Sequence, residues 1–224
     1  MPLEPLPGRP VALVSPPAAN TVRVHASLPV WLARGSVAGA LVLAAAWVVL
    51  GSLRPGYSFI SQPISGLGVG PGGAVMNGAF VLNGLLFVAG PIGTFILIEE
   101  ISAVARWSCA ALLALSGVGA ILCGLFTWES FAPHMLGSAL GLVGPVFGFV
   151  AAGLVLRRSP LRRRLGSALL IGAALTLALV VGFFATFSVD AVEAGRGVAG
   201  LMERVLVVEI DAWYVALALA ATRS

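Results

Sequence analysis

The sequence predicts an all-α protein, a six-helix transmembrane bundle with both termini cytoplasmic. Three observations carry that reading. Of the 224 residues, 59% are hydrophobic and only 10% charged, with a mean hydropathy of +1.03, against about 25% charged in ordinary soluble domains. Apolar runs long enough to span a hydrocarbon core, which takes about 17–25 helical residues, recur along the chain between short polar connections. All thirteen basic residues are Arg, and they gather in alternate connections, which is a topology signal before it is a binding patch.

The elements follow in order. Residues 1–28 hold Pro2, Pro5, Pro7, Pro10, Pro16 and Pro17 with little apolar periodicity, so they read as a disordered cytoplasmic tail ahead of a membrane domain at 29–224. No continuous apolar stretch marks them as a signal peptide. The first span is Ser36 to Leu53, with Trp31 and Arg34 anchoring its start. The connection Arg54 to Gly73 is rich in Gly, Pro and Ser. Its Gly68-Val-Gly70-Pro-Gly72-Gly73 matches G-x-G-x-x-G formally, but a dinucleotide site needs a preceding strand, and there is none. Ser58, Ser61 and Ser65 have helical spacing, as do Ile60, Ile64 and Leu67, while Pro63 forbids one uninterrupted helix. The expectation is a short turn in the membrane interface.

Ala74 to Ile98 is the second span, interrupted by Pro91; its Asn77 and Asn83 suit hydrogen bonding between helices. After a loop with Glu99, Glu100 and Arg106, the third span runs from Ser108 to Phe126, with Ser116, Ala120 and Gly124 as a small-residue packing stripe. Thr127 to Pro133 leads to His134, which opens the fourth span, ending at Leu156. There Gly137, Gly141, Gly144 and Gly148 favour close helix contact. Arg157, Arg158, Arg162, Arg163 and Arg164 precede a fifth span at Leu165 to Phe187, and Ser188 to Ala199 connects to a sixth that ends at Ala221. With the N-terminus inside, ten Arg fall on the cytoplasmic side and three on the outer side, which sets the predicted orientation.

The sixth span poses the functional question. It carries Glu203, Arg204, Glu209 and Asp211, and a charge at the bilayer centre costs roughly 2.5–3.5 kcal/mol on insertion scales. Arg204 and Asp211 lie about 20° apart on the helix wheel but about 10 Å apart along the axis, so they share a face without touching. A ligand, water or third polar group between them would answer both. In the predicted orientation Tyr57–Gly68, Trp128–His134 and Glu203/Arg204 converge on the outer end of the bundle. The expected pocket is lined by Tyr57, Ser61, Ser65, Asn77, His134, Glu203, Arg204 and Asp211.

Several motifs together resemble one known family. Tyr57–Gly68 (YSFISQPISGLG), Cys123-Gly-Leu-Phe126, His134-Met135 and Gly200–Arg204 (GLMER) followed by Trp213 are similar, in order and spacing, to the bacterial membrane-protein family known as domain of unknown function 998. The resemblance covers roughly Ser36 to Ala221 and implies the six-span architecture. It carries no activity. Gly66 stands where members often have an acidic residue, so no carboxylate role is built there.

Cofactor chemistry finds little footing. Cys109 and Cys123 sit about 21 Å apart on one predicted helix, far beyond disulfide reach. A b-type haem commonly needs a second axial histidine and a structural zinc needs four ligands; no metal and no cofactor is therefore expected. The leading expectation is binding of a lipid or hydrophobic small molecule whose polar head meets Arg204 and His134. The alternatives are an intramembrane enzyme acting on a lipid or isoprenoid, with His134 and Glu203 as acid and base, and a small proton-coupled transporter using Asp211. A nucleophilic version, with Ser58, Ser61 or Ser65 activated by His134, lacks a G-x-S-x-G elbow. His134 also reads as a helix-start residue bonded to a neighbouring loop. Whether the chain is an enzyme is left open. The expected partners are membrane lipids or a hydrophobic small molecule and no nucleic acid; a homo-oligomer is left open, and the expected setting is a bacterial inner membrane.

Overall fold

The structure is a computed structural model that describes residues 20–223. The expected Pro-rich tail lies outside the described residues up to residue 19; the rest of the expected tail, from Asn20, belongs to the first helix instead. Helix follows helix: α1 (Asn20–Leu53), α2 (Gly73–Ile96), α3 (Ala103–Leu125), α4 (Phe131–Ser138), α5 (Gly144–Leu156), α6 (Arg163–Thr186), the short α7 (Val189–Glu193) and α8 (Ala199–Thr222). A 3-10 turn at Ile64–Gly68 interrupts the first connection, and a π-helical turn at Ala139–Val143 joins α4 to α5. No strand occurs among the described residues.

Six helical stretches are long and apolar enough to cross a membrane: Leu28–Leu53, Gly73–Ile96, Ala103–Leu125, Phe131–Leu156, Arg163–Thr186 and Ala199–Thr222. They match the six predicted spans with shifted ends. The first extends N-terminal of the predicted start at Ser36, and Ala33 and Ser36 are buried where α1 runs against α2. Gly90 and Gly93 permit that approach: a Cβ on Gly90 would collide with the Ser36 side chain, and one on Gly93 with the α1 backbone. The third begins at Ala103 because Ser102 caps it, its hydroxyl accepting from Ala105 N–H at 3.3 Å.

Pro91 does not interrupt α2. It is buried inside a continuous helix, where the backbone bond that proline removes is tolerated under the support of neighbouring helices.

Around the bundle, α1 packs on α2, α2 on α3, α3 on α4 and α5, and α5 on α6; α8 closes the ring against α6 and α1 and also touches α2. The core centres on Tyr214, Phe87 and Phe149. Tyr214 stacks on Phe87 at 4.5 Å between ring centroids, meets Phe149 edge-on at 5.8 Å, and donates its hydroxyl to Leu113 O. One end of the bundle gathers the 54–72 connection, the turn between α3 and α4, and α7; this is called the loop end below.

Candidate functional site

The middle of the 54–72 connection, from Ser61 to Gly68, packs down into the loop end, while Pro55, Gly56, Ile60 and residues 70–72 stay exposed. Ile64 and Leu67 are each 1% exposed, and Ser61 is 2% exposed. Pro63 adopts extended backbone and starts the 3-10 turn immediately after itself, so the proline that forbids a long helix sets the phase of a short one. A buried loop must find partners for its backbone carbonyls. Two arginines supply them. From the end of α1, Arg54 Nη1 donates to Gly66 O (2.8 Å), and Nη2 donates to Val69 O and Pro71 O, the latter at 2.8 Å. From α8, Arg204 Nη1 reaches Phe59 O and Gln62 O, both at 2.9 Å, and Gly200 O at 2.7 Å, while Nη2 donates to the Tyr57 hydroxyl.

Arg204 is also boxed by the rings of Trp47, Tyr57 and Phe59, at 5.3, 5.5 and 5.0 Å from the guanidinium carbon. Such cation–π contacts contribute about 0.5–2 kcal/mol each. Gly200 makes the seat possible, because a Cβ there would run into the Gln62 backbone. The first turn of α8 is tied to the same loop through Leu201 N–H to Ile60 O at 2.9 Å. Burial pushes the Tyr57 hydroxyl up to about 12, against the pull of Arg204.

Beneath this loop lies a cavity of about 60 Å³. Its polar lining comes from Glu203 and Asp211 of α8, Asn83 of α2, Ser116 and Cys123 of α3, Ser138 of α4 and Ser65 of the 3-10 turn. Leu43, Phe80, Phe87, Leu142, Val207 and Ile210 form the apolar wall. At 1.5 Å per residue, Asn83, Ser116, Ser138 and Asp211 each sit about 10–18 Å below the loop end of their own helix. The cavity therefore occupies the half of the bundle nearest the loop.

The π-helical turn borders it through Gly141 and Leu142, and Ser116 Oγ donates to Gly141 O at 2.9 Å. Turns of this kind mark functional positions in many helices.

The cavity is not internally satisfied. Glu203 Oε2 accepts from Ile64 N–H, the first amide of the 3-10 turn. Asp211 has no hydrogen bond and neither carboxylate has an ion pair among the described residues, where the recorded pair is Arg162–Glu100 at 2.6 Å. Asn83 is 2% exposed, and its Nδ2 has no partner. Arg204 does not make up the deficit, since its terminal nitrogens are engaged with the loop and with its own helix.

The eight predicted pocket residues thus divide. Ser65, Glu203 and Asp211 face the cavity. Tyr57 and Arg204 hold the loop, as does Asn77, whose Nδ2 donates to Gly68 O at 3.0 Å. Ser61 is buried with its hydroxyl unpartnered. His134 lies in the first turn of the fourth span, which starts at Phe131 and not at His134, and its Nδ1 is 2.8 Å from Phe126 O at the end of α3. It shares a narrow crevice with Glu203, Ser65 and Trp128 beside the cavity. Glu209 is answered separately, by Trp213 Nε1 at 2.6 Å and by Thr176 Oγ1 at 2.8 Å. Cys109 and Cys123 are free and buried.

In the sequence Asn83 and Ser116 stood out only as helix-packing positions, and Ser138 did not stand out at all. The signal that would have found them is depth: each is a polar group on a different span, within about two helical turns of the depth of Asp211.

Six apolar helices around a carboxylate-bearing cavity define a polytopic α-helical membrane protein. The family model described as Protein of unknown function (DUF998) matches residues 37–220, and the chain belongs to that family. No curated protein and no solved structure matches it.

Proposed function

We propose that the protein binds, in the cavity beneath the 54–72 loop, a lipid or hydrophobic small molecule whose polar head is a hydroxyl or an amine. The observation that carries this reading is the mismatch within the cavity: among the described residues, two carboxylates have no ion pair and Asn83 Nδ2 has no acceptor, and all three are set in an apolar wall. Buried polar groups without partners are costly, so a ligand that matches them gains what the protein alone lacks. Carboxylates accept from O–H and N–H and repel phosphate. Asn83 asks for an acceptor, and a hydroxyl oxygen answers both kinds of group. About 60 Å³ holds roughly four to six water-sized groups, which suits a small head next to hydrocarbon. Arg204 in this reading holds the loop over the head instead of meeting it. The Arg distribution supports a loop end at the outer leaflet of the cell membrane, with both termini cytoplasmic.

The test is mass spectrometry of small molecules that co-purify in mild detergent with wild type, Glu203→Gln, Asp211→Asn and His134→Ala. A hydroxyl- or amine-bearing amphiphile retained by wild type and reduced about tenfold or more in Asp211→Asn is the expected result, the loss matching one charge-assisted hydrogen bond. The same lipid profile in all four proteins would overturn the reading. One observation favours a second reading, acid/base chemistry on such a molecule: His134 and Glu203 line the same crevice. In that case His134→Ala would accumulate an altered ratio of two related molecules, instead of leaving the bound species unchanged.

A further inference from the structure

At the end of the bundle opposite the loop, five arginines occur within eight residues, Arg157 to Arg164. One of them is committed to the fold. Arg162 is buried, donates from Nε to Glu100 Oε1 at 2.6 Å and reaches Ala220 O at 3.2 Å, tying the α5–α6 turn to the α2–α3 loop and to the end of α8. Arg157, Arg158, Arg163 and Arg164 are exposed and, among the described residues, have no ion pair. Three of these line one cleft of about 410 Å³, together with Leu154 and Pro160. The cleft is several times roomier than the carboxylate cavity and has no acidic lining.

Two further features give the cleft a direction. Its wall at Leu154 continues a strip of α5 that faces out of the bundle: Phe147, Val150 and Leu154 are 62%, 38% and 51% exposed and fall within about 60° of one another on the helix wheel. Its floor meets the first turn of the 24-residue α6 at Arg163, where amide N–H groups and the helix dipole favour an anion. Guanidinium forks bind phosphate oxygens in pairs. An anionic head joined to a hydrocarbon tail fits both halves, and a free anion would leave the apolar strip unused.

We propose that this cleft is a binding site for an anionic phospholipid, with the headgroup phosphate on Arg157, Arg158 and Arg163 and an acyl chain along Leu154, Val150 and Phe147. The site is separate from the cavity under the loop and rests on different residues.

The test is native mass spectrometry of the full chain in detergent, titrated with phosphatidylglycerol or phosphatidylcholine carrying the same acyl chains. Wild type should bind phosphatidylglycerol more tightly. Each surface Arg near a membrane contributes about a fivefold effect, so Arg157→Gln/Arg158→Gln/Arg163→Gln should lower affinity for phosphatidylglycerol by roughly a hundredfold, towards that for phosphatidylcholine. Arg164→Gln/Arg196→Gln/Arg223→Gln removes the same charge elsewhere and should keep the preference. Should the first triple variant misfold, Arg158→Gln alone should lose about fivefold. No preference in wild type, no loss in the cleft variants, or an equal loss in the control variant would each overturn the site.

Discussion

Tyr57 and Arg204 show how one residue pair can belong to a loop and a helix at once. The Tyr57 hydroxyl accepts from Arg204 and lies 2.7 Å from Pro63 O, to which it donates. Ionising that hydroxyl would strip the proton from the bond to Pro63 O. Burial raises its folded-state value to about 12 from 10.0. A raised value means that the folded state holds the proton more tightly, so the contribution is complete below pH 10 and is lost as pH rises through about 12. Thermal unfolding in detergent should show wild type losing stability over that interval more steeply than Tyr57→Phe. The Phe variant should start lower by about 1 kcal/mol, the net worth of an ordinary hydrogen bond, and the gap should close at high pH. Parallel pH profiles would remove Tyr57 from the explanation. Glu100 behaves oppositely at the other end. Although burial alone would raise it, a backbone hydrogen bond and Arg162 hold its carboxyl below the usual range, so its contribution is lost as pH falls.

At the scale of elements, the fourth span is where regular geometry gives way beside the cavity. A π-helical turn accommodates one residue more than an α-helix in the same length, and Ala139–Val143 does so between Gly137, which packs against Gly119 of α3, and Gly148, which packs against Leu113. Removing Leu140 should restore an α-helical register while α4 and α5 keep their present phase, because the turn already absorbs the extra residue locally. The Gly141 and Leu142 bulge would then withdraw from the cavity wall, and Ser116 Oγ would lose Gly141 O as its acceptor. The expected outcome is retained helical content by circular dichroism with loss of the co-purifying molecule, while Leu140→Ala keeps it. Undiminished retention after the deletion would show that the π-helical turn has no part in the site. Composition does not announce this turn: Ala139, Leu140 and Leu142 are ordinary apolar helix formers, and Gly141, like the glycines around it, was legible only as part of a packing face. The 54–72 loop was legible in part. Pro63 and the Gly-rich composition marked a break and a short turn, but the burial of that turn depends on two arginines from other elements.

For the whole molecule, orientation decides which compartment the cavity faces. In a background with Cys109 and Cys123 replaced by Ala, a cysteine at Glu193, on the loop end, should react with a membrane-impermeant maleimide on intact cells. A cysteine at Arg163 should react only after the cells are opened. The reverse pattern would move the cavity to the cytoplasmic leaflet. By itself the sequence determined the six spans, because a run of some twenty apolar residues in water or lipid has few stable alternatives to a membrane helix. It also determined that the charges of α8 need shelter, since their cost in lipid follows from residue type and position alone. The tertiary structure decided what shelters each one. Arg204 lies 145 residues from Phe59 and Glu203 lies 139 from Ile64, and neither helical period nor local spacing carries information over such separations. Only when α8 closes the ring against α1 and α2 do Arg204 and the loop satisfy each other. That pairing leaves Glu203, Asp211 and Asn83 facing a shared space that no side chain of the described residues fills.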